Sequence, residues 1–157
     1  MSTMTMSLSS RPRTISSAPK LASAAPSALV AAAEVGVADR VLVIGRNVIE
    51  QVVALVQAGC RTVLSLRADS ACPRGETADV LWLSGLDDMT DRLAASLRGG
   101  AIPRVVVIEV GGADADVRLR PAYRQLRAKG FVRFSSHRTI TGIALVAARP
   151  VWLQRVH

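Results

Sequence analysis

The chain has 157 residues, with 20 Lys+Arg against 12 Asp+Glu, a formal net charge of +8, 50% hydrophobic and 20% charged residues. This length and composition suit one globular domain with a sizeable core and exclude a fully disordered chain. The longest uninterrupted apolar runs, Ala28–Ala33 and Ile143–Ala148 at six residues each, fall far short of the roughly 20 residues of a membrane span, so no membrane association is expected.

The charge is unevenly spread. Residues 1–33 carry Arg11, Arg13 and Lys20 and no acid; residues 34–117 hold all 12 acids against eight arginines, a net of −4; residues 118–157 carry nine basic residues and no acid. Residues 1–27 are rich in Ser, Thr, Ala, Pro and Met, too poor in large apolar groups to offset the entropy of ordering, and read as a disordered basic tail ahead of a single domain over 28–157. They contain no signal-peptide core, although an acid-free Arg/Ser start also fits an organellar transit peptide. Cys60 and Cys72, with only His137 and His157, form no zinc-ligand pattern. No metal is expected, and the two cysteines read as free thiols in a reducing, cytoplasmic compartment.

After the tail, Ser27–Val35 predicts a lead-in helix with Ser27 as its cap and Gly36 as its end. Arg40–Ile44 is a continuous apolar run of the kind a strand buried on both faces requires, ending at Gly45. The helix over 47–58 has both ends marked: Asn47 and Glu50 make a capping-box pattern, and Gly59 supplies a left-handed C′ position. Arg61–Leu66 follows as a strand, then a loop over 67–78 with Pro73 and Gly75. Residues 78–83 predict a third strand, 86–98 a helix with Leu86, Met89, Leu93 and Leu97 on one face, and 104–110 a β-branched and therefore central strand. A helix is expected to start near Pro121, a residue suited to a first helical turn, and to end at Gly130. Residues 131–135 and 139–147 then predict an antiparallel hairpin. The alternation of strands and helices predicts an α/β fold with a three-layer, mostly parallel sheet.

Three segments resemble the class I (Rossmann-like) S-adenosylmethionine-dependent methyltransferase superfamily. Val41-Leu42-Val43-Ile44-Gly45, the 47–58 helix and Ala58–Val63 are similar to its first βαβ unit; Ala78–Leu86 is similar to its fourth strand; Leu97-Arg98-Gly99-Gly100 is similar to the approach to its fifth. Leu126–Phe131 and the closing hairpin resemble its last helix and two strands. The resemblance covers about 28–149 and implies a cofactor site at the carboxyl ends of the strands, with Gly45, Arg46, Asn47, Arg67, Asp69 and Ser84 as the cofactor-binding residues and S-adenosylmethionine as the cofactor. The sequence also departs from the family. Only Gly45 remains of a glycine-rich turn that lets backbone approach the cofactor, Arg67 stands near the usual place of a ribose-holding acid with Asp69 two residues beyond, and Arg67–Ala78 is too short for the usual helix and third strand. This pattern implies a truncated, degenerate member with a reduced S-adenosylmethionine site. A missing strand beside the second strand leaves an exposed edge that favours a homodimer or a covering partner.

No catalytic constellation stands out: Ser84-Gly85-Leu86-Asp87 replaces the acid/amide-Pro-Pro-aromatic motif of amino-methylating members, and the Cys and His residues form no nucleophile–base pair. Arg46 and Arg67 read either as an anion site near a helix N-terminus or as solvated loop arginines. Ser84 and Glu109, at the ends of the third and fourth strands, face the same rim. His137 reads as a surface loop residue. Arg120, Arg124 and Arg127 share one helix face by their spacing, either as a phosphate-contacting surface or as the solvated side of an amphipathic helix. The readings carried forward are a methyltransferase-like domain with a reduced site; a non-catalytic module whose basic C-terminal face contacts an acidic protein or nucleic acid; an active small S-adenosylmethionine-dependent methyltransferase; and, with the weakest motif, a nucleotide-binding Rossmann enzyme using Arg67.

Overall fold

In the computed structural model, which describes residues 24–70, 77–98 and 102–150, ten elements alternate along the chain: α1 Pro26–Ala32, β1 Arg40–Gly45, α2 Ile49–Gln57, β2 Thr62–Arg67, β3 Val80–Ser84, α3 Met89–Leu97, β4 Val105–Gly111, α4 Ala115–Ala128, β5 Arg133–Arg138 and β6 Gly142–Ala148. The six strands form one sheet in the order β2-β1-β3-β4-β6-β5. β2, β1, β3 and β4 are parallel; β6 lies antiparallel between β4 and β5. The α/β class, the mostly parallel sheet and the closing hairpin are those expected from the sequence.

Alternation along the strands decides the layers, because successive side chains point to opposite faces. Leu42, Ile44, Leu81, Leu83, Val106, Ile108 and Val110 pack with Leu93 and Leu97 of α3 and Leu119 and Leu126 of α4. Val41, Val43, Val80, Trp82, Val105 and Val107 pack on the other face with Leu29 and Val30 of α1 and Ala54 and Leu55 of α2. The apolar runs of β1, β3 and β4 are thus buried on both sides, and β4, the β-branched run, is interior to the sheet. Burying a Leu or Val side chain stabilises by about 1.5–3 kcal/mol, so these two clusters supply most of the drive to fold.

The ends of α2 and α4 follow the sequence at their C-termini, but α1 stops at Ala32, short of the Gly36 expected to end it, with Glu34 taking the positive φ of 52°, and the N-termini depart from expectation. Gly59 and Gly130 take positive φ, 93° and 94°, just past α2 and α4. Asn47, however, does not cap α2: it adopts φ 52° itself, and Val48 occupies the N-cap with no side-chain bond. A left-handed residue cannot present its side chain as an extended N-cap does. Nor does Ser27 cap α1, which starts at Pro26 behind Ala25; the domain boundary drawn at 27/28 therefore falls inside a helix, and the Ala24 amide donates to the Arg138 carbonyl. The last helix begins at Ala115, six residues before Pro121. Burial of Ala115 and Leu119 against the sheet outweighs the hydrogen bond that Pro121 cannot donate. The tail over 1–23, together with Cys72, Pro73 and Gly75, lies outside the described residues.

Candidate functional site

At the carboxyl ends of β1, β2 and β3 an open cavity of about 720 Å³ is lined by Gly45, Arg46, Asn47, Arg67, Ala68, Asp69, Leu86, Asp87, Asp88 and Arg92. Parallel pairing in register brings the first of these together: Gly45 lies beside Arg67 on one side and Ser84 on the other. Five of the six residues singled out by sequence, Gly45, Arg46, Asn47, Arg67 and Asp69, converge on this one cavity.

Ser84 is placed differently. It is 7% exposed, and its hydroxyl donates to Glu109 Oε2 at 2.7 Å; the same oxygen accepts from Gln51 Nε2 at 2.8 Å. Ser84 and Glu109 are register partners on the α2 face of the sheet, so they bond each other and a helix residue. Gln51, 8% exposed, has no counterpart among the sequence-predicted residues, and its Oε1 has no partner among the described residues. Its position within the apolar α2 run gave no sign that it would meet Glu109, 58 residues away.

Arg46 Nη2 pairs with Asp87 Oδ2 at 3.1 Å, the two side chains 65% and 80% exposed; such a pair contributes at most about 1 kcal/mol. Arg92 is the better buried. From α3 its guanidinium donates to the carbonyls of Ala68 and Ser70 and lies 3.4 Å from Asp88 Oδ2. The Ser70 amide donates to the Arg67 carbonyl at 3.0 Å. Arg92 thereby fixes the turn that carries Arg67 and Asp69. The Asp88/Arg92 spacing of four was legible, but its loop carbonyls were not.

A Cβ on Gly45 would stand 1.9 Å from the Ser84 carbonyl oxygen, so this glycine is required by the close approach of β3, whatever lies above the strand ends. At the end of β2 the cavity is lined by Arg67 and, two residues on, by Asp69, and no helix or further strand follows β2 among the described residues before β3. The cavity combines three guanidiniums with three carboxylates and offers no thiol, imidazole or amine among its described lining residues. No group of His, Cys, Asp or Glu among the described residues could hold a metal.

A second concavity, about 490 Å³, lies between α4 and the sheet. Arg120, Arg124, Tyr123 and Ser136 line it with Asp116, Leu119 and Leu145. Arg120 and Arg124 thus line one concavity together. Arg127 sits over the Tyr123 ring, 5.7 Å from its centroid, and that ring leans on Phe134 at 4.4 Å and 51°. His137 Nε2 lies 3.0 Å from the Ser135 hydroxyl on β5, in a strand and not in the turn expected for it. No helix among the described residues is long and apolar enough to cross a membrane.

No protein-family model and no curated protein matches the chain. Among solved structures it is similar to an assigned RNA methyltransferase from Pyrococcus horikoshii, at TM-score 0.53 and 11% identity over 80% of each chain. It also matches a release-factor-specific protein-(glutamine-N5) methyltransferase from Alicyclobacillus acidocaldarius, at TM-score 0.43 and 21% identity over 71% of this chain and 80% of that one. A dimethyladenosine transferase from Plasmodium falciparum matches at TM-score 0.46 and 13% identity over 80% of this chain and 60% of that one. The fold is the mostly parallel, Rossmann-like α/β fold shared with the Pyrococcus horikoshii structure.

Proposed function

We propose that this methyltransferase-fold domain has a reduced S-adenosylmethionine site, at which it neither holds the cofactor tightly nor transfers its methyl group. The observation that carries this reading is Gly45: its missing Cβ makes room for the Ser84 carbonyl, and no second glycine follows it in the turn Arg46-Asn47. Arg67 in place of an acid and the short connection from β2 to β3 support the same reading. The fold makes S-adenosylmethionine and S-adenosylhomocysteine the ligands to titrate. Isothermal titration calorimetry is expected to show no micromolar binding of either. Micromolar affinity would overturn the reading and favour an active small methyltransferase.

A second reading is favoured by a separate observation, the groove that Arg120 and Arg124 line beside Tyr123. It makes the domain a non-catalytic module that contacts an acidic protein or nucleic acid through α4. Reversing both charges, Arg120→Glu with Arg124→Glu, tests it.

A further inference from the structure

We propose that β2 is a dimerisation edge, pairing antiparallel with β2 of a second copy about a two-fold axis that passes at Ser65. The sheet has two edges, β2 and β5, and each presents backbone N–H and C=O groups with no strand beyond them among the described residues. Natural edges are blunted by charge, proline or bulges. β5 is treated in this way: Arg133, His137 and Arg138 punctuate its six residues. β2 is not. Thr62-Val63-Leu64-Ser65-Leu66 contains neither charge nor proline, and Arg67 closes it.

Its side chains are unfinished as well. Leu64 and Leu66 stand in register with Leu42 and Ile44, whose side chains belong to the core under α3 and α4. Leu66 packs against that core, but Leu64 remains 37% exposed. No helix of the β2–β3 connection covers it among the described residues.

A second copy completes this edge because the strand is self-complementary, as an isologous contact requires. A two-fold axis perpendicular to the sheet keeps the faces of the two copies aligned, so only residues on the same face of β2 oppose each other. Centring on Ser65 sets Leu64 against Leu66 of the other copy, twice, giving the apolar cross-strand pairs that stabilise a sheet. It also brings Arg61 to the level of Asp69 of the other copy. Centring on Leu64 instead sets Arg61 against Arg67, like charges directly opposed. Charge therefore selects the register. The product is one continuous sheet made of two six-stranded halves.

The test uses the full chain. Light scattering at micromolar concentration is expected to give twice the 16.6 kDa of one chain. In a Cys72→Ser background, Ser65→Cys is expected to oxidise to a covalent dimer. Residues directly opposite each other on adjacent antiparallel strands, as the two copies of residue 65 on the axis are, have Cα atoms about 4.5–5.5 Å apart, within reach of a disulfide. Leu64→Cys is expected to remain uncrosslinked, and Leu64→Lys to be a monomer with an unchanged circular dichroism spectrum. A single-chain mass for the unaltered protein overturns the proposal. Crosslinking through Cys at 64 and not at 65 overturns the register.

Discussion

Cys60 shows how one residue's chemistry is set by where the chain turns. It follows Gly59 at the exit of α2, is buried, and its thiol points to the Gly36 carbonyl at 3.8 Å. It is a free thiol. Burial, and then the Asp39 carboxylate, disfavour the thiolate and push its pKa above the ordinary value. A pKa raised on folding contributes stability that is complete below the unfolded-state value and lost as pH rises through the folded one. As the pH rises above about 8.5, the ordinary cysteine value, the urea midpoint of the protein is therefore expected to fall more steeply than that of Cys60→Ala. Parallel pH profiles for the two would remove this account. At the same scale, the cavity residues divide by what a sequence can display. Gly45, Arg46, Asn47, Arg67 and Asp69 follow strand ends and could be found by position. Arg92 and Gln51 act through partners 22 or more residues away, and no local pattern announces them.

At the scale of the element, strands and C-terminal glycines were legible because their signals are local: a continuous apolar run, or a residue without a Cβ where φ must be positive. Helix starts were not, since they depend on what the first turn packs against. α4 is the clearest case. Its Pro121 has no N–H to give the Val117 carbonyl, yet the helix runs through it because Ala115, Leu119, Ala122 and Leu126 are buried. Pro121→Ala restores that bond and removes the ring's clash with the preceding turn. It is expected to stabilise the protein by about 1–3 kcal/mol, read as a raised urea midpoint at unchanged m-value. A lower midpoint would show that α4 is shaped around the proline.

At the scale of the molecule, charge and sheet topology separate two surfaces. The cavity at the strand ends draws on the middle of the chain, where carboxylates answer its arginines, while β5 and all of α4 from Arg118 onward lie in the acid-free stretch, with Asp116 in the first turn of α4 just ahead of it. Arg120→Glu with Arg124→Glu is expected to weaken capture of an acidic protein or nucleic acid partner in a pull-down, with the melting temperature nearly unchanged, because both side chains are exposed. Equal capture by both forms would remove the second functional reading. The sequence by itself determined the class of fold, the order of strands and helices and the closing hairpin, because periodicity and chain length between strands are local quantities. Only the tertiary structure decided that Gly45 answers to β3, that Ser84 and Glu109 bond each other, and that Arg92 holds the turn bearing Arg67 and Asp69. Each of these is a contact between elements far apart in sequence, and its geometry exists only once the sheet has set their distance.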